Sequence, residues 1–164
     1  MTLQSLSSPF ADGWRLTHLG RLLGHAMRRF DERVLALMAH NIDVPLALSN
    51  LAARSQVSAA HIHITRHLSL KGSRLTALAQ RAGMSKQAMG DLVNQCEAWG
   101  LVAREADPHD TRARLVRFTA TGLAWLKAFE EAVVQAEAEF RVEVGADIAA
   151  VVMIGLEAYA GPAA

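Results

Sequence analysis

The stretch LTALAQRAGMSKQAMGDLVNQCEAWG, residues 75–100, decides the fold. Thr76 is placed to cap a short helix (ALAQRA), Gly83 can take the left-handed backbone that ends it, and Ser85 can cap a second helix. Met84 just before that cap and Met89 four residues after it have the spacing of a hydrophobic staple. Two helices joined by so short a turn must cross steeply, which makes a helix-turn-helix. The second helix gathers Ala88, Met89, Leu92, Val93, Cys96 and Trp99 on one face, and Lys86, Gln87, Gly90, Asp91 and Asn94 on the other.

Past Gly100 the pattern changes to short apolar runs, LVARE and LVRFT, rich in strand formers. The charged segment between them, within DPHDTRARLVRFTATG (107–122), reads as a hairpin loop too long for a tight turn. A hairpin behind a helix-turn-helix is a wing. Outward from this unit, apolar residues from Asp12 to about Asn41 (Leu16, Leu19, Leu23, Met27, Phe30, Val34, Leu37, Met38) predict one long amphipathic helix. Pro45 interrupts it, and helical pieces follow in LALSNLAARS and VSAAHIHITRHL, with a turn at Lys71-Gly72-Ser73. Thr119 can cap a further long helix with a stripe of Leu123, Leu126, Phe129, Val133, Phe140 and Val144. After Gly145, DIAAVVMIGLEAYA is apolar on nearly all sides. The small central unit cannot cover both terminal segments, so burial against a second copy, a homodimer, is expected.

Composition sets the outer limits. Apolar residues are 51% and charged residues 20% of 164, the mix of an ordinary globular domain. The net charge of +1 hides an asymmetry: residues 1–69 and 70–119 each carry +3, and residues 120–164 carry −5. A lone cysteine, Cys96, excludes an internal disulfide. The opening MTLQSLSSPFADGW lacks a basic segment followed by an apolar core, and no run reaches membrane-spanning length, so a cytoplasmic protein without a membrane partner is expected.

From residue 75 to 122 the chain resembles the MarR (multiple-antibiotic-resistance regulator) family: a leucine-rich first helix, a Ser-led recognition helix, the junction Glu97-Ala-Trp-Gly100-Leu101-Val102, and a wing with Asp110, Arg112 and Arg114. The flanking helices agree in length and order, so the resemblance extends over about residues 12–160. Two departures stand out: the wing reads Asp110-Thr111-Arg112 where the family often has Asp-Arg-Arg, and Asp91 occupies a position often basic. The segment HNIDVPLALSNLAARSQ also exceeds the usual connection. The resemblance implies a mostly α winged helix-turn-helix with a two-stranded wing, residues 58–119, between long dimerisation helices in 12–57 and 120–164. It implies a non-enzymatic, homodimeric repressor of a pseudo-palindromic double-stranded DNA operator, relieved by a small aromatic or phenolic acid. The alternative is a winged-helix module that binds DNA or protein without an effector.

On that reading Ser85, Lys86, Gln87 and Asn94 face the major groove, with Gly90 allowing close backbone approach. Arg112 enters the minor groove, Asp110 holds its guanidinium, and Arg114 or Arg117 meets phosphates. Trp14, His18, His25, His61 and Arg66 are the candidate ligand residues. His63 and His67 have the spacing of two metal ligands, but their segment offers neither Cys nor carboxylate, so no metal or other cofactor is expected. Cys96, on the apolar face, reads as a core thiol rather than a redox sensor.

Overall fold

A computed structural model describes residues 13–40 and 59–161. The chain enters through α1 (Gly13–Thr17) and α2 (Leu19–Ala39), which the sequence pattern alone joined into one helix. The break is at His18, whose backbone is extended and whose Nδ1 accepts the Arg21 N–H at 3.3 Å, capping α2. Then come α3 (Ala59–His67), β1 (Ser73–Arg74), α4 (Leu75–Arg81), α5 (Lys86–Ala98), β2 (Val102–Asp107), β3 (Asp110–Phe118), α6 (Ala120–Val144) and α7 (Ala146–Ala160). The expected helix in LALSNLAARS and the long connection around it lie outside the described residues.

The turn between α4 and α5 forms as its residues require. Gly83 has φ +63°, its N–H donates to the Gln80 carbonyl, and Met84 N–H donates to the Ala79 carbonyl, the paired bonds of a Schellman motif. Ser85 Oγ accepts the Ala88 N–H at 3.1 Å and starts α5. At the other end of α4 the expectation fails: the cap position belongs to Arg74, and Thr76 lies inside the helix. Arg74 is extended because it pairs in β1, so the strand sets the start of α4.

The sheet has the antiparallel order β1-β3-β2, one short strand more than the expected two-stranded wing. Helices α2 to α6 and this sheet share one core, centred on Val34, Met38, Ile62, Leu78, Met89, Val93, Val102, Val116 and Trp125. Thr119 caps α6 as expected, accepting the Gly122 N–H at 3.0 Å. The buried face of α6 differs from the expected stripe. It runs through Gly122, Trp125, Ala128, Phe129, Ala132 and Ala136, while Leu123 is exposed and Leu126, Val133, Phe140 and Val144 are only half-buried. Small residues let α2 approach closely, and antiparallel ion pairs, Arg29–Glu143 (2.7 Å) and Arg33–Glu139 (2.6 Å), line that contact. The acidic tail thus meets the basic front of the chain. No helix among the described residues is long and apolar enough to cross a membrane.

Candidate nucleic-acid interface

Helix α5 buries Met89, Val93 and Cys96 and exposes Lys86, Gln87, Asp91 and Asn94, so its two faces divide as the spacing predicts. Gly90 is the exception. A Cβ there would meet Leu75 Cδ2 at 3.7 Å, so the position turns toward α4 rather than outward. Asn94 is outward but engaged: Arg104 Nη2 donates to its Oδ1 at 2.7 Å, and Arg104 is in turn paired with Glu97.

The wing departs from its expected shape. Strand β2 runs to Asp107 and β3 begins at Asp110, so Pro108-His109 is a two-residue turn and the arginines belong to the strand, not to a loop. Asp-Pro opens such turns: Asp107 Oδ1 accepts the His109 N–H at 2.9 Å, a signal present in the sequence and overlooked. The register then passes from Ala106↔Arg114 to Asp107↔Asp110, leaving residues 111–113 as a bulge opposite no β2 residue. Bulges re-aim side chains, and Arg112 stands at the centre of this one.

Asp110 does not hold the Arg112 guanidinium. Its Oδ1 accepts the Arg112 backbone N–H at 3.2 Å, and its Oδ2 takes Arg74 Nη2 at 3.3 Å. Arg74 also donates twice to Asp107, at 2.8 and 3.1 Å, and so ties β1 to both ends of the turn. The His109 N–H and the Arg74 guanidinium hold the Asp107 carboxyl below its ordinary value. Arg74 carries no local sequence signal, because its partners lie 33 and 36 residues away. Arg117, considered for phosphates, is half-buried and lies 3.3 Å from Glu105. Arg112 and Arg114 are exposed, and like Lys86 they form no ion pair among the described residues. On α5 and the wing, Lys86, Arg112 and Arg114 are therefore available to an anionic partner.

The five candidate ligand residues do not share one cleft. The rings of Trp14 and His18 lie 5.9 Å apart on exposed α1 and its junction, and His25 is exposed on α2. Arg66 is paired with buried Asp31 of α2, a partner that sequence spacing did not reveal. His61 lies under α5, with Nε2 2.5 Å from Gln95 Oε1 and its ring 4.8 Å from Trp99. The cavity it lines with Cys96, Leu101 and Trp125 is ≈ 10 Å³, on the order of one water molecule and too small for an aromatic acid. His63 and His67 stack with centroids 5.9 Å apart, and burial, then His63, Arg66 and Arg81, lower the pKa of His67. Burial pushes the Cys96 thiol up to about 12, which suits a core side chain and not a reactive thiolate.

Residues 57–113 match the model of the MarR family. That segment is a winged helix-turn-helix similar to the MarR family's. Solved structures carry the likeness over nearly the whole chain. The transcriptional repressor CouR bound to a 23-mer DNA duplex aligns with a TM-score of 0.67 at 22% identity, covering 94% of this chain and 100% of that one. A MarR family protein of Mycobacterium tuberculosis in complex with p-aminosalicylic acid gives 0.61 at 23% identity, over 88% and 100%. The PcaV regulator of Streptomyces coelicolor with its natural ligand gives 0.60 at 18%, over 93% and 96%. At these identities the likeness is one of fold. No curated protein matches the chain. The MarR fold accounts for the order helix, turn, helix, hairpin and for the long helices on either side.

Proposed function

We propose that this MarR-type chain is a homodimeric transcriptional repressor that binds a pseudo-palindromic operator and is released by a small aromatic or phenolic acid. The observation that carries the DNA reading is the pairing of two exposed elements on one winged helix. Lys86 and Gln87 stand at the start of α5, and Arg112 and Arg114 stand on a bulged β3 braced from behind by Arg74. A helix of that kind suits the major groove, and arginines on a hairpin suit the minor groove and its phosphates. Ser85, Asn94 and Asp110 complete the interface, Asp110 by fixing the backbone at Arg112. Gly90 contributes only by its small size.

Dimerisation is supported by the apolar surface the fold leaves uncovered. Leu16, Leu19 and Leu22 on the first helices and Ile148, Val151, Ile154 and Tyr159 on α7 are exposed, a larger apolar surface than a soluble monomer commonly presents. Residues 12–57 and 120–164 then form the dimer lobe and residues 58–119 the DNA lobe. Two recognition helices about 34 Å apart would fit successive major grooves. The effector class is supported by the p-aminosalicylic acid bound to the mycobacterial relative.

The test is titration of duplex DNA from upstream of the protein's own gene, with sedimentation of the free protein. A dimer that protects a two-fold symmetric site and releases it on addition of p-aminosalicylic acid, or of related phenolic acids, is expected. Binding unaffected by any such acid selects the effector-free module instead. A monomer that binds no duplex at low salt refutes the whole reading.

A further inference from the structure

We infer that Arg104 orients the Asn94 amide, so that on DNA its nitrogen donates to an acceptor, a phosphate oxygen or the edge of a base. The inference rests on the DNA-binding reading above. An asparagine recognises adenine by using both ends of its amide, the oxygen accepting from N6–H and the nitrogen donating to N7. In this structure one of the oxygen's two lone pairs is engaged. Arg104 Nη2 donates to Asn94 Oδ1 at 2.7 Å, and a guanidinium has donors only, so the end of the amide that faces it has to be the carbonyl.

Arg104 is itself held in place. Its backbone N–H donates to Glu97 Oε1 at 3.1 Å and its Nη1 to Glu97 Oε2, so the first wing strand is clamped to the last turns of the recognition helix. Rotating the Asn94 carbonyl away from Arg104 would give up a charge-assisted bond. The amide nitrogen needs no such sacrifice, and no protein acceptor takes it among the described residues. Asn94 stands two turns along α5 from Lys86, on the same exposed face, so an acceptor met by its nitrogen belongs to the duplex that Lys86 meets.

The experiment is selection of bound duplexes from a random pool by the full-length dimer and by Asn94→Ala, Arg104→Gln and the double variant, with affinities measured on the sequence that the unaltered protein enriches. Asn94→Ala is expected to weaken binding about fivefold. A contact to a base appears as a base preference lost at one symmetric pair of positions, and a contact to phosphate as the same loss on every sequence. In the Arg104→Gln background the same step should fall below about twofold, because the amide is no longer oriented. Arg104→Lys, which keeps the charge but not the fork, serves the same purpose should Arg104→Gln fail to fold. An Asn94→Ala effect that is absent or independent of Arg104 overturns the inference. Failure of the unaltered protein to enrich any duplex would instead overturn the DNA-binding reading and this inference with it.

Discussion

Replacing Gly122 by alanine should destabilise the fold, although helix propensity favours alanine by about 1 kcal/mol. Gly122 occupies the first turn of α6, where that helix rests on the junction between α5 and β2. A Cβ built there would lie 2.9 Å from the Leu101 carbonyl carbon, 3.1 Å from Phe118 Cδ1 and nearer still to the Leu101 oxygen. Leu101 cannot yield, because its N–H donates to the Cys96 carbonyl at 2.9 Å and its own carbonyl accepts the Thr119 N–H at 3.1 Å. Relief requires the first turn of α6 to lift by on the order of 1 Å, an overpacking cost of about 1–3 kcal/mol. The Thr119–Leu101 bond and the Thr119 hydroxyl bond to the Gly100 carbonyl then weaken, at about 1 kcal/mol each. Less the propensity gain, the net loss is about 3 kcal/mol, or roughly 6–12 °C in Tm for a chain of this length. Thermal melts at one fixed protein concentration, since an oligomer's Tm depends on it, should be run beside Gly90→Ala. There the new methyl would sit in ordinary contact with Leu75, and stability should hold or rise by up to about 1 kcal/mol. A Gly122→Ala protein that melts within about 2 °C of the unaltered one refutes this reasoning.

Arg112→Ala should weaken operator binding at least about tenfold at moderate salt and lower the salt slope by about one, as measured by titration at several ionic strengths. Arg74→Ala removes the brace behind the wing; operator affinity should drop because Arg112 loses part of its contribution, so the two losses should fall short of adding in the double variant. Arg33 first, then Gln135, holds the Glu139 carboxyl at about 2 against an ordinary 4.5. A depressed carboxylate stabilises above its unfolded value, so the urea-midpoint gap between Glu139→Gln and the unaltered protein should be full above pH 4.5 and close as pH falls through about 2. Cys96 should react with a thiol reagent only as fast as the protein opens, and Cys96→Ser should cost about 1–3 kcal/mol by burying a hydroxyl in an apolar site.

What was legible in the sequence was whatever local chemistry decides. The Gly83 turn, the Ser85 and Thr119 caps and, Gly90 apart, the two faces of α5 depend on residues within one or two helical turns, and form as read. Errors arose where a distant partner overrides the local preference. Thr76 is the better cap by type, yet pairing of Arg74 with Leu115 in the sheet sets the start of α4. Arg74, Asp31 and Arg104 are ordinary charged residues by sequence, and only the fold brings them to Asp107, Arg66 and Asn94. The small face of α6 was missed for a similar reason: alanines carry little hydrophobic signal, but close helix packing selects them over the larger stripe beside them.

The contact between α2 and α6 shows how the charge asymmetry is used. Arg29–Glu143 and Arg33–Glu139 are exposed pairs, each worth about 0–1 kcal/mol. Burial of Val34, Met38 and Phe129 is worth about 1.5–3 kcal/mol for each side chain, so the apolar contact carries the strength. The ion pairs decide register. They advance by four residues on each helix in opposite directions, and sliding one helix by a turn would bring at most one cation of the two back to a carboxylate among these four residues. Asp31 is different in kind. It lies between these arginines on α2 but is buried and pairs with Arg66 of α3. Deleting one partner of a buried pair costs about 3–5 kcal/mol, and the partial exposure of Arg66 lowers that toward the bottom of the range. Among the described residues, the ionic contact that ties α2 to the winged helix therefore outweighs those that align it with α6.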